Sequence, residues 1–440
     1  MPTHLDIHRR DFFRAGTLGL GGLAWPNLFC RAEAGTANPS GALTVEESGK
    51  SPDKKLIVTS PGVYKAVVWQ ASGGGINEFY DLASDPEAKR NLGTAWGLFE
   101  VGWHGAALPK DVKPDPVKGD SENGNYGCRF WPTPPHDCKK LQAEGELDVV
   151  EKSPARVRVR AQSWFTFWSR YVDKNMPVAA YYTFYPSGQI AIQVRVRKLD
   201  RRFQWSVEYG PHLHVPASAK DPAVDPGFIF STPKVEAAKD GGFAPAEELV
   251  LATSAKLPTA LMLTIPAEAH TLFDRHMRHN GRSVNWDRFG YGSNQVVMDA
   301  GYDHTWACLM QMGTQGHTLV PPLRNAKDAL PHAMQYRVPA RIDGAELVKD
   351  DAGDLNQDGY NESEGCHVLK GPGPLAFTYE RGAGAGFAPA LKVIGWQGAA
   401  PRTAKVDGKD VPVIAAVVEG KLLVQLFGTI PGAKVKVEIA

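Results

Sequence analysis

An acidic segment from Asp354 to Glu364 has oxygen-bearing side chains at the spacing of a calcium-binding loop. Asp354, Asn356 and Asp358 alternate along the chain, so all three can point inward, and the next residue, Gly359, allows a sharp turn. A backbone carbonyl and one or two further carboxylates can close a shell of oxygen ligands. The sequence therefore predicts a calcium site whose ligands are Asp354, Asn356, Asp358, Tyr360, Glu362 and Glu364.

This segment matches the first six positions of the EF-hand pattern and then departs from it. Gly365 occupies the twelfth position, where that pattern requires a bidentate glutamate, and no amphipathic helix precedes Asp354. We therefore expect a stand-alone calcium loop, as in secreted repeat modules and dockerin-like segments. A solvated acidic turn is the alternative, because Asp, Asn and Gly are also ordinary turn residues.

Two histidines, His212 and His214, are spaced so that they could serve one reaction centre. On a β-strand, residues i and i+2 share a face and lie about 6–7 Å apart, so both can reach one proton or one metal ion. With Glu208, Tyr209 and Arg170 they would supply a general base, a general acid and a cationic clamp. Those groups suit proton abstraction next to the carboxylate of a uronic acid, or the opening of a sugar ring. The alternative is an irregular edge strand at Pro211, with histidines that are merely part-exposed.

Further histidines follow in a second group that includes His270, His276 and His279. If the stretch near Pro266 to Arg278 is helical, His276 and His279 lie one turn apart. The segment 285–292 is predicted to be an aromatic, glycine-rich loop in which Trp286 or Tyr291 could stack on a sugar. A simple surface loop explains it equally well.

The amino terminus carries a second kind of signal. Arg9 and Arg10 precede Phe12 and a weakly apolar run that is too short to span a bilayer. This pattern resembles a twin-arginine export signal, with a small-x-small cleavage site at residues 32–34. We expect a mature chain that begins near Gly35 and a periplasmic or extracellular location, since no later stretch is long and apolar enough for a membrane helix.

Composition excludes some partners. Removing four arginines and three acidic residues of the predicted signal from totals of 49 basic and 48 acidic residues leaves 45 of each. A neutral mature chain gives no electrostatic reason to expect nucleic acid or an anionic membrane as partner. No phosphate-binding loop, dinucleotide fingerprint or Gly-x-Ser-x-Gly elbow is present. Of the five cysteines, Cys128 and Cys138 are candidates for a disulfide in an oxidising compartment.

Short runs of alternating apolar and polar residues predict a mostly β protein. In Arg156–Arg160 the alternation puts the valines on one face and the arginines on the other, as in a half-buried antiparallel strand. Residues 185–189 predict a hairpin turn. The expected organisation is a signal at 1–34, a linker at 35–54, a large antiparallel β-sandwich at 55–353, the acidic loop at 354–365 and a small C-terminal β-sandwich at 372–440.

Residues 73–82, where glycines turn one strand into another, resemble the galactose-mutarotase-like β-supersandwich of sugar mutarotases, several glycoside hydrolases and polysaccharide lyases. The last 70 residues resemble the C-terminal β modules of carbohydrate-active enzymes. These resemblances imply a glycan or polysaccharide as substrate. They carry no catalytic residue over to this chain.

Three functions agree with these patterns. The first is an exported polysaccharide lyase or glycoside hydrolase with a calcium-stabilised loop. The second is a non-catalytic glycan-binding or surface-associated β protein. The third is an aldose-epimerase-like enzyme for small sugars.

Overall fold

The computed structural model describes residues 41–93, 98–106, 124–126, 145–167, 171–199, 203–214, 226–230, 243–245, 249–254, 258–267, 276–279, 283–289, 296–298, 300–314, 317–382, 386–430 and 432–440. Residues Pro39–Ala440 form one compact unit. Its regular structure is almost entirely β, with sheets that are antiparallel apart from one parallel strand pair, which confirms the predicted fold class. None of the helices in the described ranges has the length and apolarity needed to cross a membrane.

The first sheet is a four-stranded antiparallel meander. Its strands are Thr44–Ser48 (β1), Lys55–Ser60 (β2), Tyr64–Trp69 (β3) and Gly75–Asp81 (β4), with a 3-10 turn at Gln70–Ser72. Strand β1 pairs with β2 along its whole length, so part of the segment predicted as a linker is a strand of this sheet.

A second, larger sheet contains fifteen strands within the described residues. They are Phe99–Ala106 (β5), Gly124–Tyr126 (β6), Glu146–Lys152 (β7), Val157–Phe167 (β8), Tyr171–Phe184 (β9), Gln189–Lys198 (β10), Phe203–His214 (β11), Pro226–Phe230 (β12), Phe243–Pro245 (β13), Val250–Ser254 (β14), Ala260–Thr264 (β15), His276–His279 (β16), Ser283–Phe289 (β17), Val296–Met298 (β18) and Tyr302–Gly313 (β19). The main path runs β12-β14-β15-β19-β10-β9-β8-β6-β5-β11-β17-β16-β13. The predicted turn joins β9 to β10, where Tyr185 N donates to Gln189 O and Gly188 has a φ of 77°.

The main hydrophobic core lies between these two sheets. Leu56, Val58 and Phe79 of the small sheet belong to one buried cluster with Val159, Tyr182 and Trp306 of the large sheet. The valines of β8 face this core, as the alternation predicts. We call this side of the large sheet the inner face and the opposite side the outer face.

The outer face is covered only at one end, within the part of the chain that the structure describes. There a helix, Ala326–Arg337 (α1), packs on β14 and β15, and its Tyr336 joins Tyr360 against Ala191 and Leu309. Farther along the same strands the outer-face residues Gln162, Arg197 and Asp303 are exposed.

Among the residues that the structure describes, the C-terminal module is a ten-stranded sheet with its own core. Its strands are Arg341–Asp343 (β20), Glu346–Leu347 (β21), Tyr360–Asn361 (β22), Cys366–Lys370 (β23), Leu375–Glu380 (β24), Ala390–Ile394 (β26), Thr403–Val406 (β27), Lys409–Val418 (β28), Lys421–Leu426 (β29) and Lys434–Ile439 (β31), while Gly386–Phe387 (β25) and Thr429–Ile430 (β30) form a separate pair. The sheet starts before the acidic loop, about thirty residues earlier than the boundary predicted at 372. The loop is therefore an insertion within the module.

Two local predictions are wrong. Residues His276–His279 form strand β16, not a helix, so His276 and His279 lie on opposite faces of a strand. Residues 283–289 form strand β17, so the described part of the segment predicted as an aromatic loop, residues 285–289, is sheet.

Candidate functional site

Backbone N–H groups of the acidic loop donate hydrogen bonds to carboxylate oxygens of the same loop. Asp354 Oδ1 accepts hydrogen bonds from Gln357 N at 2.6 Å and Asn356 N at 3.3 Å, and its Oδ2 accepts from Gly359 N at 2.8 Å. Asp358 Oδ1 accepts from Tyr360 N at 2.7 Å. These bonds wrap the backbone around the carboxylates, and Gly359, with a φ of 93°, supplies the left-handed turn.

Three carboxylates of this loop converge. Oxygen atoms of Asp354, Asp358 and Glu362 lie within 4.8 Å of one another, and they form the one such group of potential metal ligands in the described ranges. Asp354 and Glu362 are buried, whereas Asp358 is exposed. Burial, together with the nearby carboxylates of Asp358 and Asp354, raises the pKa of Glu362 to about 8. Clustered oxygen donors, with carboxylates this costly to ionise without a counter-charge, fit a hard divalent cation such as calcium.

The other predicted ligands are placed differently. Asn356 lies in the same loop, where its Oδ1 accepts from Asp358 N at 3.0 Å. The ring of Tyr360 is buried between Tyr336 and His367, at centroid distances of 6.1 and 4.9 Å, which leaves only its backbone carbonyl as a possible ligand.

Glu364 is directed away from the three carboxylates into a buried ion cluster. Its Oε2 accepts from Arg156 Nη1 at 2.7 Å and from Lys392 Nζ at 2.8 Å, and its Oε1 accepts from Arg158 Nη1 at 2.9 Å. The side chain is 4% exposed. Both oxygens are thus occupied by cations from β8, from the residue just before it and from β26. The structure therefore does not bring Glu364 into the group of potential metal ligands.

This cluster joins the two large parts of the protein. Arg156 also donates to Glu151, from Nε at 2.5 Å, and Lys392 Nζ donates to Asp351 Oδ2 at 2.6 Å. Burial alone would raise the pKa of Glu364, but Arg156, Arg158 and Lys392 together hold that pKa well below its ordinary value. Arg156 and Arg158, from the arginine side of the predicted alternation, thus anchor the acidic loop, and Lys392 links the same carboxylate to the C-terminal module.

The positions of His212 and His214 follow from the register of β11. Leu213 lies directly opposite Phe99 of β5, and Phe99 is buried in the inner core with Tyr182 and Trp306. Residues paired across antiparallel strands share a face. Leu213 therefore belongs to the inner face, and positions 212 and 214 belong to the outer face. The strand pairs on both sides, with β5 and β17, so it is irregular near Pro211 but is not an edge.

A β-bulge changes the relation between these histidines and the residues upstream. The register shifts between Tyr209 and His212, so that Tyr209 lies opposite Gly102 and His212 opposite Glu100. Positions 100 and 102 of β5 share the outer face. Tyr209 therefore joins His212 and His214, whereas Glu208 lies on the inner-face side and does not share a face with them.

Neighbouring strands add residues from the second histidine group to the same face. Asp287 lies opposite Tyr209 and Asn285 opposite His212 in β17. In β16, His276 lies opposite Asp287 and Arg278 opposite Asn285. Trp286 falls on the inner-face side of β17, opposite Met277. The candidate site is the set of outer-face positions on three adjacent strands: Tyr209, His212, His214, Asn285, Asp287, His276 and Arg278.

The histidines of β11 and the residues of β16 and β17 form separate groups in the sequence, because strand register is not visible in a single sequence. The usable signal was alternation: Asn285 and Asp287 flank the apolar Trp286, as His212 and His214 flank Leu213. Several predicted features lie outside the described residues. They are the export signal, Arg170, His270, Tyr291 and the cysteine pair Cys128 and Cys138.

No family profile and no curated protein matches the sequence. Similar solved structures include a TPR-domain containing protein from Parabacteroides distasonis (9% identity, TM-score 0.34, 61% of this chain and 52% of that one). They also include galactose 1-epimerase from Lactobacillus acidophilus (7%, 0.36, 62% and 99%) and heparan sulfate lyase from Pedobacter heparinus (9%, 0.30, 77% and 40%). The chain spans about half the length of the first and less than half of the lyase. These likenesses are too low for any functional assignment to rest on them.

Proposed function

We propose that this protein is an exported, calcium-stabilised polysaccharide lyase that cleaves uronic-acid-containing glycans. The observation that carries the proposal is the register of β11, β17 and β16. It gathers a tyrosine, three histidines, an aspartate, an asparagine and an arginine at neighbouring positions of one face. Directly paired residues have Cβ atoms about 4.5–5.5 Å apart, close enough for such groups to act on one sugar ring.

The reaction is a β-elimination. A base removes the C5 proton of a uronate, the electron pair forms the C4–C5 double bond, and the C4–O bond breaks. The leaving oxygen takes a proton from an acid, so the two products together have the atoms of the substrate and no water is consumed.

The site has a residue type for each step. Tyr209 and His212 are suited to remove and donate the protons, since both can exchange a proton near neutral pH when placed beside charged neighbours. Arg278 and Asn285 suit the uronate carboxylate, whose negative charge grows as the C5 proton leaves. Asp287, between Tyr209 and His276 in register, is suited to orient them.

The acidic loop has a structural role in this proposal. Calcium would be held by the carboxylates of Asp354, Asp358 and Glu362. Asn356 and the backbone carbonyl of Tyr360, in the same loop, would be further candidate ligands. It would supply positive charge that offsets three clustered carboxylates. The loop is continuous with Glu364, so calcium would fix the segment that anchors the C-terminal module.

The amino-terminal sequence supports export. The adjacent Arg9 and Arg10 and the short apolar run agree with a twin-arginine signal, and that pathway delivers folded proteins to the compartment where polysaccharides are met.

The test is incubation of the mature protein with a panel of acidic and neutral glycans. Lyase activity gives both new reducing ends and the ultraviolet absorbance of an unsaturated uronate. Reducing ends without that absorbance would establish a hydrolase instead. Binding without either product would leave the glycan-binding alternative.

A further inference from the structure

Strand β5 adds an acidic position beside the candidate site. It pairs with β11 on the side away from β17. Glu100 of β5 lies directly opposite His212, and the β-bulge in β11 leaves both positions on the outer face. The Cβ atoms of residues paired in this way are about 4.5–5.5 Å apart, so a glutamate is an immediate cross-strand neighbour of this histidine.

The second cross-strand neighbour of His212 is uncharged, since Asn285 of β17 lies opposite it. Residues two positions away along a strand, or diagonal to a pair, are about 6–8 Å distant. Of the two directly paired neighbours of His212, Glu100 alone is therefore acidic. The other titratable or charged positions on this part of the outer face are Tyr209 and His214 on β11, His104 on β5, Asp287 on β17, and His276 and Arg278 on β16.

Tyr209 has different neighbours. Asp287 of β17 lies opposite it on one side and Gly102 of β5 on the other. A carboxylate beside a phenol disfavours the phenolate, because two negative charges repel, so Tyr209 is expected to keep its proton. Glycine has no side chain, and the next position in the same row is Asn125 of β6. The row therefore leaves space for a sugar ring beside Tyr209.

We propose that Glu100 is a positioning residue that makes His212 the general base of the candidate site and leaves Tyr209 as its general acid. The inference rests on the proposed function for the reaction, and it adds which residue moves which proton. A carboxylate that accepts a hydrogen bond from one imidazole nitrogen fixes the tautomer of the ring. The other nitrogen can then take a proton, and the carboxylate stabilises the imidazolium that forms.

The two roles complete the elimination. His212 takes the C5 proton of the uronate, and the electron pair of the C5–H bond forms the C4–C5 double bond. The C4–O bond breaks with its electron pair on oxygen, which takes the phenolic proton of Tyr209. Solvent then carries a proton from the imidazolium to the phenolate, and both residues return to their starting states.

The first measurement is an NMR titration of the histidines in the mature protein without substrate. The signal of His212 is assigned by its loss in His212→Gln. Glu100→Gln should lower the pKa of His212 by about one pH unit or more, because a negative charge next to the imidazole is gone. Glu208→Gln is the matched control. It removes the same charge from the adjacent strand position opposite Trp103, on the inner-face side, and should leave that pKa unchanged.

Melting temperatures of all variants are compared before the titrations. If Glu100→Gln does not fold, the wild-type protein supplies the test. His214 lies on the same face as His212 but opposite Ser283, and β5 begins at Phe99, opposite Leu213. His214 thus has no directly paired acidic position in these strands, and His212 should titrate about one pH unit above it.

The second measurement is the pH profile of kcat/KM on the most active acidic glycan. A general base must be unprotonated, so activity should rise with pH through the pKa of His212 in the free protein. Glu100→Gln should move this rise to lower pH by the shift seen in the titration, and should lower the plateau of kcat about tenfold or more. Glu208→Gln should change neither. A purely structural effect would lower the plateau without moving the rise.

An unchanged pKa of His212 in folded Glu100→Gln, or an equal change in Glu208→Gln, would overturn the inference. A rise in activity that stays at the same pH in Glu100→Gln would do so as well. Lyase activity with either of these results would leave the proposed function intact. Absence of an unsaturated product from every glycan would instead overturn the proposed function, and with it the catalytic role of the pair.

Discussion

Glu364 and Arg156 form a buried ion pair, with Oε2 and Nη1 at 2.7 Å, although 208 residues separate them in the sequence. The pair fixes the end of the acidic loop to the residue that directly precedes β8. Lys392 approaches the same oxygen from the C-terminal module, so one carboxylate holds together three segments that are remote in sequence.

Replacing Glu364 by Gln should lower the free energy of unfolding by about 3 kcal/mol or more, because buried cations would lose their shared carboxylate. Urea unfolding measures the effect. Glu346→Gln is the control, since its pair with Lys370 is exposed and should contribute less than about 1 kcal/mol. Similar small losses in both variants would contradict a structural role for the cluster.

Calcium should raise the melting temperature, and a chelator should lower it, because the cation binds the folded loop and offsets its three carboxylates. A calcium concentration of 100 times Kd would add about 2.7 kcal/mol of stability. Asp358→Ala should abolish the calcium-dependent shift, whereas Asp350→Ala, an exposed aspartate just before the loop, should retain it. Calorimetry with and without chelator distinguishes the two variants. A wild-type melting temperature that does not change with calcium would refute the site.

The β-bulge in β11 predicts different effects for two residues only four apart. His212→Ala should reduce turnover by about 10²-fold or more with little change in stability, as expected for a general acid or base. Glu208→Gln should leave turnover within a few-fold, because position 208 lies on the other face. Steady-state kinetics on the most active glycan tests both. Comparable losses in the two variants would show that the face assignment does not govern catalysis.

Replacing both Arg9 and Arg10 by Lys should retain the protein in the cytoplasm with its amino terminus uncleaved. The twin-arginine receptor requires the paired guanidinium groups, which lysine does not reproduce. Fractionation and amino-terminal sequencing provide the measurement, and Arg31→Lys is the control. Normal export of the double variant would mean that another signal is used.

Acid should destabilise the protein partly through His332. Burial, opposed in part by Asp328, lowers the pKa of His332 to about 4, from about 6.5 in the unfolded chain. Between pH 4 and pH 6.5, His332 is protonated in the unfolded state but neutral in the folded state. This contribution to stability is complete above pH 6.5 and is lost as the pH falls to 4, by up to about 3 kcal/mol. His332→Gln should flatten the dependence of unfolding free energy on pH in that window, and an unchanged slope would exclude this residue as its source.

Local patterns were enough to predict strands and turns. The Val157 and Val159 alternation, the turn at Tyr185 and the inward-facing oxygens of Asp354 all depend on residues within a short stretch. These local features do not depend on which strands become neighbours in the sheet.

Features that depend on partners far along the chain were not predictable in the same way. His276 and Asp287 align with Tyr209 only because β16 and β17 pair with β11 in one particular register. The bulge that separates Glu208 from His212 likewise exists only against the regular strand β5. By spacing alone, Glu364 is a candidate calcium ligand. Its carboxylate is instead paired with Arg156 and Lys392, which lie 208 and 28 residues away in the sequence.

The insertion of the acidic loop within the C-terminal sheet limits how this region could be shuffled between proteins. Strands β20 and β21 precede the loop, and Lys392 shares Glu364 with Arg156, which lies between β7 and β8 of the large sheet. A recombination event with its junction after Gly365 would divide one sheet between two genes and leave unpaired buried charges in both products. A junction that preserves this module would therefore have to keep Arg156, Glu364 and Lys392 in one chain.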